Sequence, residues 1–254
     1  MRPLLAQPPA AGAHQPSGNH AAWRQVVDLA SERYRAAGRF AFGFARAKLT
    51  HDPVFEHIVR HGLVAPRARV LDIGCGQGLL GSVLEAAREL AHDGRWPREW
   101  GAAPLDARLT GIELVARDAT RARMALGDRA SIVCGDLRTT AFAPSDVVVL
   151  LDVLQYVDRA AQDDVLARAR AALPAGGTLL MRVADASHRA SFAWTRAVDR
   201  LVMRWRGGRW TRIEGRPASA WKERLGALGF HPVGATRLAR GGFANVLLVA
   251  QVTD

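Results

Sequence analysis

Twelve residues, Val70 to Gly81 (VLDIGCGQGLLG), constrain this chain more than any other stretch. Val70, Leu71 and Ile73 form a short apolar run of strand type. Gly74, Gly76 and Gly78 follow at alternate positions, and Leu79, Leu80, Val83, Leu84 and Leu90 then recur at helical spacing. A strand that passes through a glycine turn into a helix is a nucleotide-binding layout. Glycine lets backbone approach a ligand, and the helix start offers unpaired N–H groups. Asp72 separates this version from a dinucleotide site: a carboxylate at the strand end repels a pyrophosphate and attracts the cationic amino group of an amino-acid-like ligand. Gly76-Gln-Gly78-Leu-Leu-Gly81 also fits the G-x-G-x-x-G fingerprint of NAD proteins. That pattern wants an acidic residue about 20 positions on, where Glu99 lies in a Trp/Pro-rich segment with no strand.

The alternation of strands and helices continues. Expected strands are 109–114, 131–134, 146–152 and 178–183, with helices over 116–125, 160–173 and 218–228. Strands 233–238 and 245–252, joined through Gly241-Gly242, form a terminal hairpin. The five successive aliphatic residues from Val147 suit a parallel strand buried on both faces. The expected fold is α/β: a doubly wound, seven-stranded, mostly parallel sheet. Residues 21–65 read as an N-terminal helical cover, one or two helices over Trp23–Leu49 and another after Asp52-Pro53, which supply an N-cap and first turn. Residues 1–20 hold four prolines and few bulky apolar side chains and are expected to be disordered, leaving 21–254 as one domain.

The glycine loop with its acidic strand end resembles motif I of the class I S-adenosylmethionine (SAM) methyltransferases, and the resemblance covers roughly residues 50 to 252. It implies a Rossmann-like fold and SAM as cofactor, with S-adenosylhomocysteine (SAH) as product. The implied cofactor site takes Asp72, Gly74, Cys75, Gly76 and Gly78 from motif I. Glu113, with Leu114, matches the residue that grips the ribose hydroxyls. Asp136 and Leu137 match the position that reads adenine, and Asp152 and Val153 the fourth-strand exit between cofactor and acceptor; Asp152 is open to three roles there, base, substrate anchor or helix cap. Glu113 lies 35 residues beyond Gly78, a departure attributable to the insertion at 95–106.

The segment RFAFGFARAKLTHDPVF is similar to that of bacterial methyltransferases associated with polyene-pigment and fatty-acid-like biosynthesis, a secondary-metabolism context. It favours methylation on an oxygen of a small aromatic or acyl acceptor, free or presented by an acidic carrier protein. His51, Tyr156 and His188 are candidate catalytic residues, Lys48, Tyr156 and Trp194 candidate substrate contacts, and Phe40 and Phe44 candidate pocket walls. An RNA methyltransferase is the first alternative, although Asp152-Val-Leu-Gln replaces the Asn/Asp-Pro-Pro-aromatic run of amino-group enzymes. A non-catalytic regulatory subunit is the second, and intact Asp72, Glu113 and Asp136 speak against it.

Net charge is +11, yet only Lys48 and Lys222 of 35 basic residues are lysines. Such an arginine bias permits an acidic partner without naming one, and nucleic acid is not the favoured reading. Residues 187–216 carry eight arginines against Asp199 and Glu214 and read as a helical, basic, lid-like insertion, with carrier docking, membrane-surface contact or nucleic-acid contact as alternatives. No apolar run is long enough to span a bilayer. Cys75 and Cys134 are expected to be buried and reduced, as in the cytoplasm. No metal-ligand set stands out; His57 and His61, one helical turn apart, read as an exposed helix face.

Overall fold

The computed structural model describes residues 16–184, 214–238 and 245–253. Seven strands form one sheet in the order β3-β2-β1-β4-β5-β7-β6. They are β1 (Arg69–Ile73), β2 (Arg108–Glu113), β3 (Ala130–Cys134), β4 (Val147–Leu151), β5 (Thr178–Ala184), β6 (Phe230–Arg237) and β7 (Asn245–Val252). All neighbours up to β5 pair in parallel, and β7 runs antiparallel between β5 and β6. The expected doubly wound sheet is therefore present, with strand ends within a residue or two except at β6, which starts three residues early.

Period-two alternation decides which face each side chain serves. Val70, Val147 and Val149 join one core with helices α4 (Leu79–His92) and α5 (Ala116–Leu126). Leu71, Ile73, Val148 and Leu150 join the opposite core with α6 (Arg159–Ala172) and α7 (Ala218–Ala227). β6 is the far edge strand, where Pro232 and the register shift before Gly234 are tolerated because no outer neighbour needs the missing N–H.

The N-terminal cover consists of α1 (Pro16–Glu32), α2 (Arg39–His51) and α3 (Pro53–Arg60). The break between α1 and α2 ends at Gly38, whose φ of 99° suits a residue without Cβ. Asp52 caps α3 as expected, accepting from the Val54 N–H at 3.1 Å. The insertion at 95–106 is an ordered buttress. Trp96 and Trp100 meet edge to face at 5.2 Å, the Trp100 indole donates to Asn19 of α1, and the Gly101 N–H donates to the Arg60 carbonyl.

Three expectations are corrected. Residues 16–20, expected in a disordered tail, belong to α1, and residues 1–15 lie outside the described residues. Cys134 is exposed, because β3 is an edge strand. His57 is half-buried, its ring 4.0 Å from that of His61, and burial first and the His61 and Arg60 charges second push its pKa down to about 4. The basic insertion 187–216, up to Glu214, and the Gly241-Gly242 turn lie outside the described residues. No helix among the described residues is long and apolar enough to cross a membrane.

Candidate active site

The carboxyl ends of β1, β2 and β4 converge on the glycine loop. Gly74, Gly76 and Gly78 all have positive φ, and a Cβ on Gly74 would sit 2.5 Å from Val153. Four of the loop's N–H groups are already engaged: Gly74 and Cys75 donate to the Ile112 carbonyl, Gly76 donates to Glu113 Oε2 at 2.9 Å, and Gly78 donates to the Cys75 carbonyl. A pyrophosphate needs such donors free. It would also face two carboxylates, so the geometry rejects the dinucleotide reading, and Glu99 stands in the insertion away from any strand.

Asp72 is 3% exposed, and no side chain among the described residues hydrogen-bonds or ion-pairs with its carboxylate. Burial first, and the charge of Glu113 second, push its pKa up to about 7. Glu113, 7% exposed, accepts from Gly76 through one oxygen and from Val115 through the other. A carboxylate offers about four acceptor sites, so hydroxyl donors can still be received. Two buried acids beside a backbone-lined cradle fit a ligand with both a cation and a diol, as SAM has. The insertion has therefore lengthened the sequence between Gly78 and Glu113 without moving the acid from the end of β2.

The remaining expected residues divide. Cys75 directs its thiol toward Gly111 of β2, where a Cβ would come within 2.7 Å of it, and burial pushes the thiol pKa up. Leu114 is 62% exposed at the β2 exit, and Leu137 packs on the second core. The Asp136 carboxylate is turned onto Arg138, whose guanidinium hydrogen bonds hold its pKa below the usual range. His51 is exposed, with Nδ1 2.8 Å from the Ala47 carbonyl of its own helix. Tyr156 occupies a short 3-10 turn beyond β4, tied down by the Gln162 amide, which donates to the Leu154, Val157 and Glu214 carbonyls. His188 and Trp194 lie outside the described residues.

Arg182 and Asp52 complete the site at this edge, and neither was singled out there by the sequence. Arg182, 3% exposed on β5, donates through Nη2 to Asp52 at 2.8 Å and through Nε to Asp152 at 2.9 Å. Lys48 pairs with the same Asp52 at 2.9 Å, so its charge is directed at the cover and not at an acceptor. Burial alone would raise the Asp52 pKa, but the Arg182 hydrogen bonds and charge, with those of Lys48, hold it below the ordinary carboxylate range. Asp152, at φ 55°, is gripped by the Arg182 guanidinium through both carboxylate oxygens. The signal was a lone arginine in the apolar strand TLLMRVA. A second tie joins cover to loop: the buried Tyr34 hydroxyl donates to the Gln77 carbonyl at 2.8 Å.

Comparison with known proteins agrees with this geometry. Residues 23–234 match the family described as Methyltransferase domain. A carboxy-S-adenosyl-L-methionine synthase from Chromohalobacter salexigens is 35% identical over 130 residues, 47% of this chain and 43% of that protein, so the match spans less than half of that relative. The magnesium protoporphyrin IX methyltransferase of Synechocystis PCC 6803, solved with SAH, superposes with a TM-score of 0.56 at 18% identity, covering 93% of this chain and 95% of that one. An O-methyltransferase family 2 protein from Planctomyces limnophilus, solved with apigenin, gives 0.55 at 16% identity, covering 93% and 66%. The chain belongs to the methyltransferase-domain family and has the fold of its SAH-bound structural neighbour.

Proposed function

We propose that the Asp72 carboxylate receives the ammonium of SAM, that Glu113 receives the ribose hydroxyls, and that methyl transfer goes to an oxygen of a small aromatic or acyl acceptor, free or carried by an acidic protein in the cytoplasm. The buried, unpaired Asp72 beside Glu113 carries the cofactor half of this reading. When bound, SAM supplies a methyl on a sulfonium, already activated, so the protein has chiefly to align the acceptor. Arg182 orients Asp152 at the cofactor mouth. The rings of Phe40 and Phe44 stack 6.3 Å apart on α2, with the Arg121 guanidinium over Phe40, and the Phe44 ring, 38% exposed, offers apolar surface for an aromatic or acyl group. The apigenin-bound neighbour supports an aromatic acceptor.

Among the described residues no free general base stands at the mouth: Asp152 is held by Arg182, and His51 faces its own helix. This favours an acceptor oxygen that is already ionised, such as a carboxylate or an acidic phenol, which needs no base. A second reading, chemistry on a carboxylated SAM, has the Chromohalobacter relative in its favour. It wants a cation beside the added carboxylate, and Lys48 and Arg182 are both committed to aspartates.

The test is incubation with methyl-labelled SAM and separate pools of aromatic acids, fatty acyl compounds and bulk RNA. Label in ethers or esters of the small acceptors is expected. Label in RNA alone overturns the acceptor reading, and SAM binding with label in none of the pools points to a regulatory subunit.

A further inference from the structure

A cavity of about 710 Å³ opens at the amino ends of β1 and β2, at the opposite end of the sheet from the glycine loop. Arg67, Arg69, Arg88, Arg108 and Arg129 line it, and Ala107 is its one apolar lining residue. Carboxylates answer only part of this charge. Asp146 takes Arg69 through two hydrogen bonds, and Glu85 is shared between Arg88 at 3.0 Å and Arg129 at 3.5 Å. Asp106 is the other acid in the lining. Among the described residues neither Arg67 nor Arg108 has a carboxylate within 4 Å.

The buttress builds this cavity. Its end, Asp106 to Arg108, forms one wall, and the loop before β1 forms another. The two are stitched by the Arg67 N–H donating to the Leu105 carbonyl at 2.6 Å and the Arg108 N–H donating to the Ala68 carbonyl at 2.9 Å. Arg67 and Asp106, at φ 60° and 57°, are two of three non-glycine residues with positive φ among the described residues. Such strained backbone concentrates at functional positions.

We propose that this cavity binds a small anion carrying two or more linked phosphates. Guanidinium groups recognise phosphate oxygens with paired, charge-assisted hydrogen bonds. The volume lies in the range of small-molecule sites. Among the described residues no aromatic ring lines the cavity to stack a nucleobase, so the phosphates themselves are the recognised element.

The test is calorimetry of the full chain with sodium tripolyphosphate at low salt, repeated at physiological salt because exposed pairs are screened there. Saturable 1:1 binding is expected. R67Q/R108Q should weaken it at least about tenfold, while R24Q/R39Q, which removes the same charge from the exposed cover, should not. Both variants should bind SAH as the parent does, which shows that they are folded and keeps this result separate from the cofactor reading. Absence of saturable binding overturns the proposal, as does equal weakening by both variants, which would be bulk charge. A single-stranded oligonucleotide lacking terminal phosphates that competes on equal terms overturns it in favour of a nucleic-acid backbone.

Discussion

The two ends of the same parallel strands carry opposite charge in opposite settings. At the carboxyl ends, Asp72, Glu113 and Arg182 are buried and Asp52 and Asp152 partly so, and Arg182 holds both of the latter within hydrogen-bonding reach. At the amino ends, the arginines are wholly or partly exposed: Arg69 has Asp146, Arg88 and Arg129 share Glu85, and among the described residues Arg67 and Arg108 have no carboxylate within 4 Å. Buried charge is costly unless answered, and exposed charge is cheap whether answered or not. The cofactor end is therefore brittle and specific, and the arginine end is tolerant.

The largest break expected is at Arg182. Replacing it with Met strands two carboxylates against the cover and the β4 exit and should cost about 3–5 kcal/mol in chemical denaturation. Neutralising both acids as well, in R182M/D52N/D152N, should restore most of that loss. No recovery would mean that the arginine stem's packing, not its charge, matters.

Next comes Glu113→Ala, which removes the acceptor for the Gly76 and Val115 N–H groups and, in the proposed binding mode, for the ribose hydroxyls. Bonds to charged groups contribute about 1.5–3 kcal/mol each, so SAM affinity by calorimetry should drop at least about tenfold. Unchanged affinity would mean that the lengthened interval before Glu113 had misplaced the ribose contact.

Smaller, but more diagnostic, is pH. Asp72 is raised to about 7 in the folded protein from an ordinary value near 3.8. Its contribution to apo stability is thus fully present below about pH 4 and is lost as pH rises through 7. SAM binding has the opposite sign. Asp72 must be ionised to meet an ammonium, so affinity should weaken by up to about tenfold per unit below pH 7, with one proton released on binding. D72N should abolish that release; a parent protein that releases none near pH 6.5 would place the ammonium elsewhere. At the bottom of the scale, R67Q/R108Q should leave the melting midpoint within about 2 °C. A large drop would show that the arginine end is structural after all.

What the sequence disclosed follows the same division. Strand and helix identities were local: the aliphatic run at Val147, the glycine loop and the leucine spacing after it each state their structure within a dozen residues. Glu113 was legible as a strand-end acid despite its unusual distance, because the intervening insertion folds back on α1 and α3 and leaves β2 in register with β1. The Arg182–Asp52 contact joins residues 130 apart, and no periodicity announces such a pair. Asp52 was legible only in its local role as a helix cap. Cys134 was misjudged because an apolar stretch does not say whether its strand is central or at an edge, and β3 is an edge. The pocket readings for His188 and Trp194 fall outside the described residues.

The position of β7 sets an order of assembly. This strand, last of the seven described, pairs along seven residues of β5 on one side and with β6 on the other. While the chain is being synthesised, β5 must therefore wait with one backbone edge open although its sequence, TLLMRVA, is largely apolar. Unpaired apolar edges are templates for association with other chains. A nascent or truncated chain ending before Asn245 would expose that edge permanently, so the final strand acts as the molecule's protection against self-association as well as a member of its sheet.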